Sequence, residues 1–237
     1  MKLACASGAL HREIESGELT QLEFLDLCAR ELPCDGVVLD VRHFPRTDDD
    51  YLAQVKKMAT DRGLSVAALA DSSFFAQAPQ GMIEVLDRAV VLGAPLIAAP
   101  LSGEIECSWS DQLARLNEAT ALAKARNVTL ALRNAPGTFA ATTHDCKRVV
   151  KETDSAWLRY GPQPQRLDAA SDPRLLAPNT VLLWNDASTQ TERSIAEMAA
   201  IFGDFRGHVA FDDETGGTNA RELANAMRVW QEILNRK

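Results

Sequence analysis

Short apolar runs alternate with longer stretches of helical spacing from one end of the chain to the other. The apolar runs Lys2–Ser7, Gly36–Val41, Ser65–Ala70, Leu96–Ala99, Thr129–Leu132, Ala156–Tyr160, Val181–Trp184 and His208–Phe211 read as strands. Between them, Thr20–Glu31, Asp48–Arg62, Gln80–Leu92, Ser110–Arg126, Thr143–Lys151, Thr191–Phe202 and the terminal Asn219–Asn235 carry apolar residues at helical spacing. Thr20 with Glu23 forms a capping-box signature, and Gly63 and Gly93 stand where helices should stop. From Gly161 to Asn179 the pattern fails: Pro162, Pro164, Pro173 and Pro178 leave room only for an irregular loop or a short helix.

Eight strand-helix units in 237 residues predict an α/β chain folded as a single (β/α)8 barrel, one domain over residues 1–237. The competing open doubly wound sheet would carry a glycine-rich turn after the first strand. Ser7-Gly8-Ala9-Leu10 is not G-x-G-x-x-G, so no dinucleotide fingerprint is present.

Composition narrows the function classes. A net charge of -8 supplies no general attraction to nucleic acid or anionic lipid, although it permits a local basic pocket. No run approaches the ~20 apolar residues of a membrane span, and the start of the chain charges too early for a secretory signal. The five cysteines are scattered and never paired as C-x-x-C, which predicts reduced, mostly buried thiols and a cytoplasmic protein.

Barrel chemistry comes from the carboxyl ends of strands. These are Ser7, Asp40, Arg42, His43, Asp71, Arg133, Asn134, Tyr160, Asn185, Asp186, Asp212 and Glu214. Arg133 has two readings, a bidentate contact to an anionic ligand or an internal ion pair with Asp212 or Asp186. Arg42 and His43 either help hold an anion and move a proton or form an ordinary loop pair. Trp184 either stacks on a sugar ring or packs beneath a loop. Gly216-Gly217-Thr218-Asn219 is either a phosphate-binding turn at a helix start or a plain turn and cap. Of the four histidines, His43 alone is placed for chemistry by this reading, since His11 and His144 fall at loop or helix starts and His208 begins a strand.

Several segments resemble the xylose-isomerase-like barrels, which include sugar-phosphate isomerases and epimerases. Ala121–Gly137, ALAKARNVTLALRNAPG, is the nearest match; Val55–Val66 and DGVVLD of the second strand share the rhythm. The resemblance implies a divalent metal at the barrel mouth, held by a Glu ending strand 5, an Asp ending strand 6, a His ending strand 7 and a Glu on strand 8. Here Arg133 replaces the first, Gly161-Pro162-Gln163-Pro164 stands at the second, Leu183-Trp184-Asn185-Asp186 at the third and Asp212 at the fourth. A guanidinium stays protonated and repels a cation, so the expectation is no metal and no cofactor. The scarcity of histidine also excludes the related apurinic-site endonucleases, which need several zinc ions.

Two functions remain open. One is a metal-free isomerase or epimerase of a small sugar or sugar acid, with Arg133 as electrophile or anion binder and Asp212 or Asp186 moving the proton. In it Arg42, His43, Asn134, Asn185, Trp184 and Glu214 contact substrate. The other is a non-catalytic relative binding a small anionic ligand or a partner protein. Oligomeric state is not legible.

Overall fold

The computed structural model describes residues 1–103, 105–213, 215 and 217–235. Among them are the eight expected strands: β1 (Lys2–Ala6), β2 (Gly36–Asp40), β3 (Ser65–Ala70), β4 (Leu96–Ala99), β5 (Thr129–Leu132), β6 (Leu158–Tyr160), β7 (Leu182–Asp186) and β8 (His208–Asp212). All ladders are parallel, in the order β6-β5-β4-β3-β2-β1-β8-β7. The remaining seam, between β6 and β7, is drawn together by backbone hydrogen bonds from Val181 to Tyr160 (2.9 Å) and from Trp184 to Pro162 (2.8 Å). The result is a nearly closed single (β/α)8 barrel.

The helices are α1 (His11–Ser16), α2 (Gln21–Glu31), α3 (Asp49–Asp61), α4 (Pro79–Leu92), α5 (Trp109–Arg126), α6 (Thr143–Thr153), α7 (Glu192–Ile201) and α8 (Ala220–Asn235). Thr20 caps α2 with the full capping box. Asp48 caps α3, and Gly63 and Gly93 turn the chain out of α3 and α4 at φ of 73° and 74°. The helix α1 and the 3-10 turn Ser7–Leu10 that leads into it are additions to the sequence reading. Strands β7 and β8 run on to Asp186 and Asp212, so both carboxylates sit on strand ends rather than in the following loops. Residues 161–179 contain only three 3-10 turns, Pro164–Arg166, Pro173–Leu175 and Ala177–Asn179, as the four prolines dictate. The five cysteines are free; Cys34 and Cys107 are half-buried and the others buried.

The core has two shells. The outer one packs the strands' outward residues against the helices. The inner one is Ala4, Ala6, Val38, Ala67, Ala68, Ala98, Ala131, Leu182, Trp184 and Ala210. A register shift at Val37/Val38 admits both Ala67 and Ala68 to this lining. Barrel interiors are ordinarily filled by branched residues. Alanine on most strands leaves a wide bore, which Trp184 plugs from one side, and the space above it is the mouth.

Candidate functional site

The carboxyl ends of the strands enclose a cavity of about 350 Å³ whose wall includes Ala6, Gly8, Asp40, Asp71, Arg133, Trp184 and Asp212. Arg133 continues β5 past Leu132, and its guanidinium lies 4.1 Å from the centre of the Trp184 ring. Its Nη2 donates to Asp212 Oδ2 at 2.9 Å and to Gln163 Oε1 at 2.6 Å, and Nε donates to the same Gln163 oxygen at 3.1 Å. Face and edge of the guanidinium are thus both specified, by a ring below and acceptors in its plane. The side chains of Arg133 and Asp212 are only 15% and 9% exposed, so little solvent screens the pair.

Gly8, in the turn after β1, lets this carboxylate approach. A Cβ there would lie 2.7 Å from Asp212 Oδ1, and any side chain would displace it. Neighbouring Asp213 is buried. Burial would raise its pKa, but hydrogen bonds from Thr215 and Thr218 prevail and hold it at about 2. Its Oδ1 accepts from the Thr215 amide and hydroxyl, its Oδ2 from the Thr218 amide, so it shapes the loop ahead of α8.

Arg42 reaches the rim of the cavity but folds back on Asp40, with Nε 3.0 Å from Oδ1 and Nη2 2.8 Å from Oδ2. His43 lies outside the cavity wall. Its Nδ1 is 2.8 Å from Ser7 Oγ, and that oxygen accepts the Asp40 amide at 2.9 Å. Ser7 thus joins the imidazole to the β2 backbone, where a neutral imidazole serves as either donor or acceptor. Burial lowers the His43 pKa, in keeping with this neutral form. The histidine that does line the mouth is His11, on α1, with Nδ1 3.1 Å from the Gly8 carbonyl. It sits in the loop region after a strand, a signal the sequence carries but that a helix-start reading discounts.

Asn134 and Asn185 are fully buried and do not line the cavity. Asn134 clasps the backbone of Gln163, donating to its carbonyl (3.1 Å) and accepting its amide (2.7 Å). Asn185 joins Gln165 to Gln190 at 2.9 Å each. Asp186 caps its own turn by accepting the Ser188 amide (2.9 Å) and hydroxyl (2.6 Å), and it too lies outside the cavity wall. Glu214 and Gly216 fall outside the described residues. Gln163 and Arg166, both in the proline-rich segment, are site residues that no motif announces. Among the described residues, no three His, Cys, Asp or Glu side chains are grouped so as to hold a metal ion.

The fold recurs in solved structures. D-psicose 3-epimerase with D-tagatose from Clostridium cellulolyticum H10 superposes with a TM-score of 0.80 at 15% identity, over 99% of both chains. The probable 3-DHS dehydratase AsbF of Bacillus anthracis gives 0.75 at 14% identity, over 98% of this chain and 99% of that one. The IolI protein with a binding zinc atom gives 0.73 at 15% identity, over 100% and 99%. No curated protein matches this sequence. Residues 28–221 match the family model described as xylose isomerase-like TIM barrel. That span holds seven of the eight strand-helix units or parts of them, β2 through the start of α8, together with Arg133, Trp184 and Asp212. The chain therefore belongs to the xylose isomerase-like TIM barrel family.

Proposed function

We propose that this barrel is a sugar isomerase or epimerase-like protein whose mouth takes a small sugar or sugar acid and works without a divalent metal. The carrying observation is that Arg133, stacked on Trp184, stands beside Asp212 in one cavity. The side chains described there do not suit a divalent ion. Asp212 is occupied by a guanidinium, Asp213 by Thr215 and Thr218, and Asp186 by its own turn. A cation in the position of a metal offers the same electrophilic service: it favours negative charge on a substrate oxygen as a neighbouring carbon loses its proton. Asp212 is the base in this scheme, taking the proton from the carbon beside the carbonyl and returning it to the neighbouring carbon on the same face, whereas inversion at one carbon would need a second proton donor on the opposite face. The cavity lies near the lower end of the usual range for small-molecule sites, about 300–1,000 Å³. The sugar substrate class is supported by the epimerases among the structural neighbours.

A second reading has an observation of its own. The Arg133–Asp212 pair is already closed, each charge answered by the other, which suits a non-catalytic relative that keeps the fold and has filled the old metal position with an internal ion pair. Proton exchange separates the two. The protein is incubated with ketoses, aldoses and sugar acids in D2O containing a chelator, and loss of proton NMR signal beside the carbonyl is followed. Exchange with at least one sugar, abolished by Asp212→Asn, is the expected result. Calorimetric binding without exchange would establish the non-catalytic reading. Exchange that stops with chelator and returns with Mn or Zn would overturn the metal-free proposal.

A further inference from the structure

The opposite end of the barrel carries a second cavity, of about 600 Å³, at the amino ends of the strands. Side chains alternate along a strand. The alternation that turns Ala4, Ala98 and Ala210 inward therefore also turns Lys2, Leu96 and His208 toward the bore at this end. Two more cations reach the same cavity from outside the bore, Lys56 on α3 and Arg206 just before β8. Among the described residues, its lining contains three fixed positive charges, the hydroxyls of Thr60 and Ser65, and no carboxylate. That is unusual on a chain whose net charge is -8.

None of Lys2, Lys56 and Arg206 is in an ion pair among the described residues. Arg206 is instead held by backbone carbonyls, Nη1 donating to Gly203 at 3.0 Å and to Phe205 at 3.4 Å. These fix its position without cancelling its charge. Asp35, a carboxylate near His208, is turned aside and accepts the Leu3 amide at 2.9 Å. His208 senses the resulting positive field: its pKa is lowered first by burial and then by Lys2, against a smaller opposing effect of Asp35. Its Nε2 lies 3.1 Å from Ser65 Oγ, which donates onward to the Asp35 carbonyl at 3.1 Å, so His208 donates to the serine. Val66, Leu92, Leu96 and Val181 supply an apolar wall.

We infer that this amino-end cavity is a second binding site, for an organic phosphate carrying two or more phosphoryl groups. Three separated cations match a ligand with several negative oxygens better than a single carboxylate. The hydroxyls offer further donors to phosphoryl oxygens, and the apolar wall accommodates the ligand's carbon skeleton. The site lies across the barrel from Arg133 and stands independently of the function proposed for the mouth.

Isothermal titration with pyrophosphate and with ADP, at low and at physiological ionic strength, tests this. Binding at one site is expected, weakening as salt rises. Lys56→Ala and Arg206→Ala, both at exposed positions, should each weaken it about tenfold or more, the effect of losing one charge-assisted hydrogen bond. Lys57→Ala, which removes the next lysine on α3 but not one lining this cavity, should leave it unchanged. In parallel, pyrophosphate should protect Lys2 and Lys56 from reductive methylation, read by peptide mass spectrometry, while Lys57 and Lys151 label as before. Tighter binding of ADP than of pyrophosphate would confirm a use for the apolar wall, whereas equal affinity would overturn the organic part of the inference. Failure of either anion to bind, or binding unchanged in Lys56→Ala/Arg206→Ala but lost in Arg133→Gln, would overturn the site itself. The last result would move the anion to the mouth.

Discussion

Arg133 is where the properties of one side chain decide most. Only a planar cation can lie flat on Trp184 and still donate in its own plane to Asp212 and Gln163. Arg133→Ala removes the positive partner of a carboxylate that is 9% exposed. Breaking such a pair from one side costs about 3 kcal/mol, and urea unfolding should show a loss of that order. Arg133→Lys keeps the charge but neither the stack nor the forked hydrogen bonds, so it should recover only part of the stability. Unchanged unfolding in both variants would show that the pair contributes nothing net. Arg133 is legible in the sequence because it directly follows TLAL, a strand with clear edges. Its partner Gln163 is not, because a glutamine between two prolines carries no periodicity and no motif. His11 and His43 show the same limit. Both follow strands, but the side on which each falls depends on the turn that the chain takes after the strand, and both turns are 3-10.

The weakest unit, from Gly161 to Asn179, has no regular helix to hold it against the barrel. Its leading end is tied instead by Asn134, which satisfies both the amide and the carbonyl of buried Gln163. Gln163 in turn presents its Oε1 to Arg133, so Asn134 acts on the site through another residue. Asn134→Ala leaves two buried backbone groups without their partner, at about 1–3 kcal/mol for each group left unsatisfied. The expected outcome is faster proteolysis between residues 164 and 179, with little change in cleavage elsewhere. Uniformly accelerated cleavage would mean that the clasp stabilises the whole barrel rather than this segment. The irregularity itself was readable from four prolines, since each deletes a donor and restricts its neighbour. The clasp was not, because Asn134 and Gln163 lie on different strand-helix units and nothing local links them.

For the molecule as a whole, pH dependence collects buried groups from both ends of the barrel. His43 and His208 have lowered pKa values in the fold, with burial the leading cause. The unfolded chain takes up protons at both as pH falls below about 6.5, so the stability they confer is present above that pH and declines beneath it. Asp213 works lower. Its folded pKa of about 2 lies under the ordinary 3.8, so its stabilisation is present above pH 4 and is lost as pH falls toward 2. The shift corresponds to about 2 kcal/mol. Urea midpoints measured from pH 7.5 down to 3 should therefore fall in two stages. Asp213→Asn should reduce the acid stage, to which Glu23, Asp26, Asp48, Glu152 and Asp172 with their lowered pKa values also contribute, while leaving the first intact. A single stage, or an acid stage unchanged in that variant, would contradict the assignment.

What the sequence by itself determined is everything that repeats locally. Strand and helix alternate with periods of two and 3.6 residues, and eight such units leave the barrel as the economical way to bury both faces of the strands. The same local reading set Arg133, Asp186 and Asp212 at strand ends and found the capping box at Thr20. Tertiary structure alone decided which of those ends meet. Arg133 and Asp212 are 79 residues apart and Arg133 and Gln163 are 30 apart, and their contacts depend on how the barrel closes between β6 and β7. Asp186 stands in the same part of the pattern, yet its carboxylate turns to Ser188, because the nearest donors after β7 belong to its own loop. The basic cavity at the far end was equally hidden. Lys2, Lys56 and Arg206 are unremarkable as separate surface residues and become one positive field only when β1, α3 and the start of β8 are brought together. Periodicity is a property of neighbours along the chain, whereas charge and shape in a site come from residues that only closure makes neighbours.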